Sequence, residues 1–328
     1  MPSRTGAMFP DPNSPTPPPV PYPVQPPLPI PPPTPPRVWT ALLLPILSIL
    51  AAIFLGGMVA AFAVLALDGF GELGDPAAFA QSITKLVANP FGVIILVLPG
   101  QLTFMGAAFG AAVLSPIPLR ERLRYNRSAL PWWTIPILAI STFFFGTLGG
   151  LAIDYFFPGP HEQLELFLQM ARSSSGPIAI LNIAVLSALP GFSEESLFRG
   201  YVQGRFLQRW PPALSIVLST IFFALAHADP IHILAVVPVG LWLGVMAWRC
   251  NSVFPGMICH ALMNAISFSA LRYADPNDNK LTPGTFVVLG VGAVCTLLAI
   301  YLMKRYPPTN AESPTATELF NATTNLTE

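Results

Sequence analysis

The sequence predicts an all-α fold, a polytopic transmembrane helical bundle of about eight spans. Three observations lead there. Of 328 residues, 53% are hydrophobic and only 10% are charged, whereas about a quarter are charged in typical globular proteins. Several apolar runs reach the roughly 20 residues that cross a hydrocarbon core. The few Lys and Arg residues are also spread unevenly between alternate loops, as orientation in a membrane requires.

The chain opens on a proline-rich segment, residues 1–37, with 17 of the 39 prolines in its first 36 positions. Proline lacks an N–H and fixes φ, so this stretch neither packs as a helix nor pairs as a strand, and a disordered or extended cytoplasmic tail is expected. It offers a docking segment to a proline-motif-binding partner, although a plain solvated tail is the simpler reading. No apolar run suits a cleavable signal, so the first span should act as the anchor. Eight spans follow, at about 38–67, 88–115, 131–153, 177–198, 212–228, 231–248, 252–271 and 284–303, with the fourth open to an amphipathic extension through Tyr201 to Trp210. They divide into N-terminal helices with a basic loop (38–128), a membrane core (129–272) and a last helix (273–305). A polar tail, 306–328, completes the chain.

With the N-terminus in the cytoplasm, twelve of the 16 Lys and Arg residues fall on the cytoplasmic side, dominated by the run RERLRYNR at 120–127. Both termini are then cytoplasmic, and a bacterial inner membrane is the expected location. The formal net charge is zero, which gives no electrostatic case for nucleic acid. Cys250, Cys259 and Cys295 form no CxxC pair, so neither a disulfide framework nor a thiolate metal site is indicated.

The informative residues are polar groups set where lipid should be, since a charge in mid-span costs roughly 2.5–3.5 kcal/mol on insertion scales. Glu194-Glu195-x-x-x-Arg199 follows an apolar run. Glu195 and Arg199 lie one helical turn apart and suit an ion pair, which leaves Glu194 to project elsewhere. Phe223-x-x-x-His227 ends the fifth span, with Asp229 and His232 read as interfacial. His260-x-x-x-Asn264 puts an imidazole and a carboxamide on one face of the seventh. Each motif alone has a bland structural reading. Together, a carboxylate, two imidazoles and a carboxamide on three spans supply what peptide hydrolysis needs: a base for water, a group to orient it, and donors for the oxyanion. Depth is the difficulty. At 1.5 Å per residue His260 lies about 12 Å and His227 about 24 Å from the cytoplasmic side, with Glu194 near the surface. A shared site therefore requires tilt, a shifted boundary, or a kink near Pro190-Gly191.

At these three motifs the sequence resembles the CPBP family of intramembrane (metallo)proteases, which includes CAAX prenyl endopeptidases, bacterial Abi proteins and bacteriocin-processing or immunity proteins. The resemblance covers roughly residues 130–270 and implies an intramembrane endopeptidase. In that reading Glu194 activates water, His227 helps to hold it, and His260 and Asn264 stabilise the oxyanion. Glu195 and Arg199 pair to fix the helix, and Phe223 packs beneath the site. Expected partners are membrane lipid and a peptide or lipidated peptide, such as a prenylated Cys-a-a-X tail. No cofactor is favoured; if zinc takes part, Glu194, His227 and His260 are its ligands. The competing readings are a non-catalytic membrane scaffold or immunity protein and, further off, a transporter.

Overall fold

The first predicted span is one long helix, α1 (Trp39–Asp68), apolar on every side, with Leu47, Leu50, Phe54 and Phe62 turned outward. A helix of this kind satisfies its backbone polar groups internally, as hydrocarbon demands. The structure, a computed structural model, describes residues 38–69, 75–159, 162–273 and 282–308. The proline-rich segment 1–37 and the polar tail from residue 309 lie outside the described residues.

After α1 come the amphipathic α2 (Pro76–Ala88), the span α3 (Gly92–Val113), the single turn α4 (Leu119–Arg122), the span α5 (Ile135–Phe156), a second amphipathic helix α6 (Glu162–Arg172), and α7 (Gly176–Glu194). α7 continues without a break into a π-helical stretch, Glu195–Gln203, and then α8 (Gly204–Phe206). The chain finishes with α9 (Pro212–Leu225), α10 (Pro230–Cys250), α11 (Phe254–Leu271) and α12 (Pro283–Arg305). Among the described residues seven helices are long and apolar enough to cross a membrane. The expectation of about eight also counts α9, which has only 14 residues. Helix starts are fixed by local chemistry. Asp75 accepts from the Ala77 amide (2.9 Å) ahead of Pro76, and Asp229 accepts from the His232 amide (2.7 Å) ahead of Pro230.

Two ends of the bundle are tied differently. At the basic end the backbone turns through Arg124, whose φ is 56°. Its Nη2 donates to the Ala247 carbonyl (3.0 Å) and to Asn251 Oδ1 (3.1 Å). The Val253 amide returns a bond to the Arg124 carbonyl at 3.2 Å. Arg122 and Arg124 are both buried, so two arginines of the basic run clamp helices together and do not face solvent. Burial pushes the Arg124 guanidinium down to about 10, which still leaves it cationic at neutral pH. At the opposite end Asp68 accepts from Ser82 (2.6 Å) and Lys85 (3.2 Å), joining α1 to α2. Arg272 donates to the carbonyls of Ala171 and Ser174, joining α11 to the α6–α7 corner.

The π-helical stretch is buried at all nine positions. Its polar side chains are anchored on α10 in a ladder: Arg199 Nη2 donates to the Gly240 carbonyl (3.1 Å) and Gln203 Nε2 to the Gly244 carbonyl (2.8 Å). The two acceptors are four residues apart, as are the two donors. Ser219 of α9 caps the Phe198 carbonyl from the other side at 2.7 Å. Arg199 and Gln203 thus spend their donors on carbonyls of α10, and Ser219 serves one carbonyl of the π-helical stretch itself; such stretches are frequent at functional sites.

α7 and α11 meet over Gly191. A β-carbon added there would lie 2.9 Å from the Met257 carbonyl oxygen and 3.1 Å from Ala261 Cβ. Small residues at such crossings let helices approach closely. Gly191→Ala is therefore expected to destabilise the protein by about 1–3 kcal/mol, as overpacking does. Thermal unfolding in detergent should read this as a lowered midpoint.

Candidate active site

The site is built where α7 passes into the π-helical stretch. Because that helix runs to Phe206, Glu194 lies twelve residues inside its basic end. The sequence places the span end at residue 198 and Glu194 near the surface. The actual helix is longer because Arg199 and Gln203, too polar for an apolar window, are consumed by carbonyls of α10. Of the devices that could bring the motifs to one depth, a shifted boundary is seen, with the helix end at Phe206 and not at residue 198; α7 stays helical through Pro190 and Gly191.

Both carboxylates are buried, Glu194 at 6% and Glu195 at 0% exposure. Their partners differ. Glu195 Oε1 receives Arg199 Nη1 at 2.8 Å and His260 Nδ1 at 3.0 Å. Arg199, itself fully buried, also stacks its guanidinium 4.0 Å over the Phe223 ring. Glu195 is thus neutralised and also holds the imidazole. With Nδ1–H given to Glu195, His260 turns Nε2 towards Glu194 Oε2 at 4.0 Å. Glu194 Oε1 accepts from Gln101 Nε2 of α3 at 2.9 Å, while Oε2 has no hydrogen-bond partner.

The other predicted residues surround this group. The Phe223 ring is the common surface, with ring centroids 5.9 Å from His260, 5.1 Å from His227 and 5.8 Å from Phe198. His227 lies in the turn after α9 and donates Nδ1–H to the Phe223 carbonyl at 3.1 Å. In the neutral ring that leaves its Nε2 as an acceptor. Asn264 sits one turn beyond His260 on α11, half-buried, and forms no hydrogen bond among the described residues. The structure therefore joins Glu194, Glu195, Arg199, Phe223 and His260 by direct contact and brings His227 in through Phe223. Asn264 shares their helix face without touching them.

Two neighbours escape sequence reasoning. Gln101, whose Oε1 also accepts from Ser193, ties α3 to the carboxylate; a single glutamine within 22 apolar residues of α3 is the signal that could have found it. His232, read as interfacial, also has ring neighbours that the sequence does not reveal. Its ring packs against that of His227 at 4.6 Å and against Phe167 at 5.4 Å. Gln101→Leu removes a hydrogen bond to a buried carboxylate, worth about 1.5–3 kcal/mol. The expected outcome is a roughly 10- to 100-fold fall in kcat for any reaction that depends on Glu194, with the thermal midpoint lowered as well.

Among the described residues no three His, Cys, Asp or Glu side chains come together closely enough to hold a metal ion. The conditional zinc set of Glu194, His227 and His260 does not form such a group.

Seven helices long and apolar enough to cross a membrane, with a carboxylate–imidazole cluster buried among them, define an integral, multi-pass membrane protein. Comparison with protein families takes the next step: residues 176–266 match the family described as type II CAAX prenyl endopeptidase Rce1-like. The matched stretch contains every motif residue from Glu194 to Asn264, and it agrees with the CPBP resemblance drawn from them. The match covers 91 of the 328 residues, and the family it names is one of endopeptidases. Neither curated proteins nor solved structures yield a match to the chain.

Proposed function

We infer that the protein is an endopeptidase that hydrolyses a peptide bond within the bilayer, using water activated by Glu194. The observation that carries this reading is the asymmetry of the two carboxylates. Glu195 Oε1 is bonded to Arg199 and His260, whereas Glu194 is bonded only to the neutral amide of Gln101 and turns Oε2, buried and unbonded as Glu195 Oε2 also is, to within 4.0 Å of an imidazole nitrogen. In the proposed reaction Glu194 Oε2 takes a proton as the water oxygen attacks the scissile carbonyl, and His227 Nε2 orients that water. The oxyanion is met by Asn264 through its carboxamide N–H, and by His260 through Nε2 when that nitrogen carries a proton in addition to the Nδ1–H held by Glu195. When the C–N bond breaks, Glu194 returns the proton to the leaving amine. Glu195, Arg199 and Phe223 keep His260 and the helix in place.

The substrate class is a membrane-associated peptide, with a prenylated Cys-a-a-X tail as the first candidate. The basic end of the bundle faces the cytoplasm in this reading, as the excess of arginines there favours, and a bacterial inner membrane suits it. The test is cleavage by purified protein in liposomes, wild type against Glu194→Gln, with and without a chelator. Its substrates are a prenylated Cys-a-a-X panel and a library of membrane peptides. Cleavage that disappears in the variant and survives chelation supports the reading. Equal cleavage by both proteins overturns it and favours a scaffold whose core is not catalytic. Loss to chelator with recovery on adding zinc would replace metal-free chemistry by metal chemistry.

A further inference from the structure

The catalytic candidates lie on one face of α11, where a β-carbon on Gly256 would come within 3.3 Å of Glu195 Oε2 and where His260 bonds the same carboxylate. Phe254 and Ile258 are two positions away from these residues, which at 100° per residue places them on the other side of the helix. There they wall a cavity of about 770 Å³ at the basic end, together with Arg120, Arg127, Trp132 and Ile135.

The chemistry of this cavity is amphiphilic. Arg120 and Arg127 are both exposed, and no carboxylate is among the lining residues. Arg120 donates Nε to the Tyr125 carbonyl at 3.1 Å, which fixes the guanidinium at the rim with its other N–H groups turned away from that bond. The remaining walls are apolar: Leu130, Pro131 and Ile135 before and in α5, and Phe254, Pro255 and Ile258 on α11. Trp132, 85% exposed, stands beside the arginines. Exposed Trp at a span end sits at headgroup depth, and arginines there attract anionic lipid.

We propose that this crevice binds an anionic phospholipid, its phosphate held by Arg120 and Arg127 and its acyl chain laid along Ile135 and Ile258. A soluble anion would gain nothing from the apolar walls, and a neutral lipid would bring no counter-charge to the two guanidiniums. The occupant also touches the support of the catalytic candidates. Tyr125, which lines the crevice, bonds through its hydroxyl to Ser196 at 2.7 Å, and Pro255 precedes the glycine that abuts Glu195.

The experiment compares thermal stability and lipid retention of the full-length protein in vesicles of phosphatidylcholine alone and of phosphatidylcholine with phosphatidylglycerol. Wild type should be stabilised by phosphatidylglycerol and retain it through purification. Arg120→Gln/Arg127→Gln should bind it about 30-fold more weakly, from roughly 1 kcal/mol per arginine at an anionic surface. Ile258→Trp, which fills the crevice and keeps both arginines, should abolish retention as well. Equal stabilisation of wild type and both variants would overturn the site. Stabilisation by inorganic phosphate alone would overturn the lipid as occupant, as would displacement of phosphatidylglycerol by a peptide bearing a free C-terminal carboxylate.

Discussion

Glu194→Gln is expected to reduce kcat for peptide cleavage by about 10²–10⁴-fold, the range a positioned general base contributes, while leaving the fold intact. The substitution keeps the shape of the side chain. Its amide oxygen can still accept from Gln101 Nε2, which now holds Oε1 at 2.9 Å. What changes is the atom facing His260: an acceptor with no hydrogen bond becomes an NH₂ that cannot take a proton. Thermal stability should therefore stay near wild type, or rise slightly, because a buried charge has been removed. A variant that loses activity but keeps its midpoint separates chemistry from packing. An active Glu194→Gln protein would remove this residue from the mechanism.

Arg199→Met should behave in the opposite way, with stability failing first. Arg199 is fully buried and forms the 2.8 Å pair with Glu195 while stacking on Phe223. Removing it leaves Glu195 as a buried carboxylate with only His260 as its partner. Breaking a buried pair from one side costs about 3–5 kcal/mol, and the bond to the Gly240 carbonyl is lost as well. The expected results are a sharply lowered midpoint in detergent and poor recovery from the membrane. Adding Glu195→Gln to Arg199→Met should restore part of the stability, because the unpaired charge is then gone. Without such recovery, the pair is not what holds the π-helical stretch. Arg199→Lys should fall between, since an ammonium keeps the charge but lacks the planar fork and the stacking.

The sequence makes the fold class and the motif positions legible because both rest on composition and spacing that the bilayer enforces. Apolar length predicted the spans, and three short motifs singled out the residues that converge on Phe223. The depth of Glu194 was not legible. Arg199 and Gln203 carry more polarity than a lipid-facing helix allows, and only their partners on α10 explain it. α2 and α6 escaped because amphipathic helices lying between spans look like loops to hydropathy. Gln101 and His232 escaped because each is a single polar residue whose meaning depends on what faces it. Arg122 and Arg124 show the same ambiguity in reverse: read as surface charge, they are buried cations that bind carbonyls and side chains.

α9 has a consequence for the membrane itself. Its 14 residues extend about 21 Å, against a hydrocarbon thickness of about 30 Å. The turn that follows, carrying His227, is closed by its own amides: Ala226 to Phe222, His227 to Ala224, Ala228 to Leu225 and Asp229 to His227. A helix of that length is about 9 Å shorter than the hydrocarbon core. Hydrophobic mismatch of this kind is accommodated by local thinning of the bilayer. For the proposed hydrolysis, whose second substrate is water, thinning beside this hairpin would shorten the aqueous path to His227.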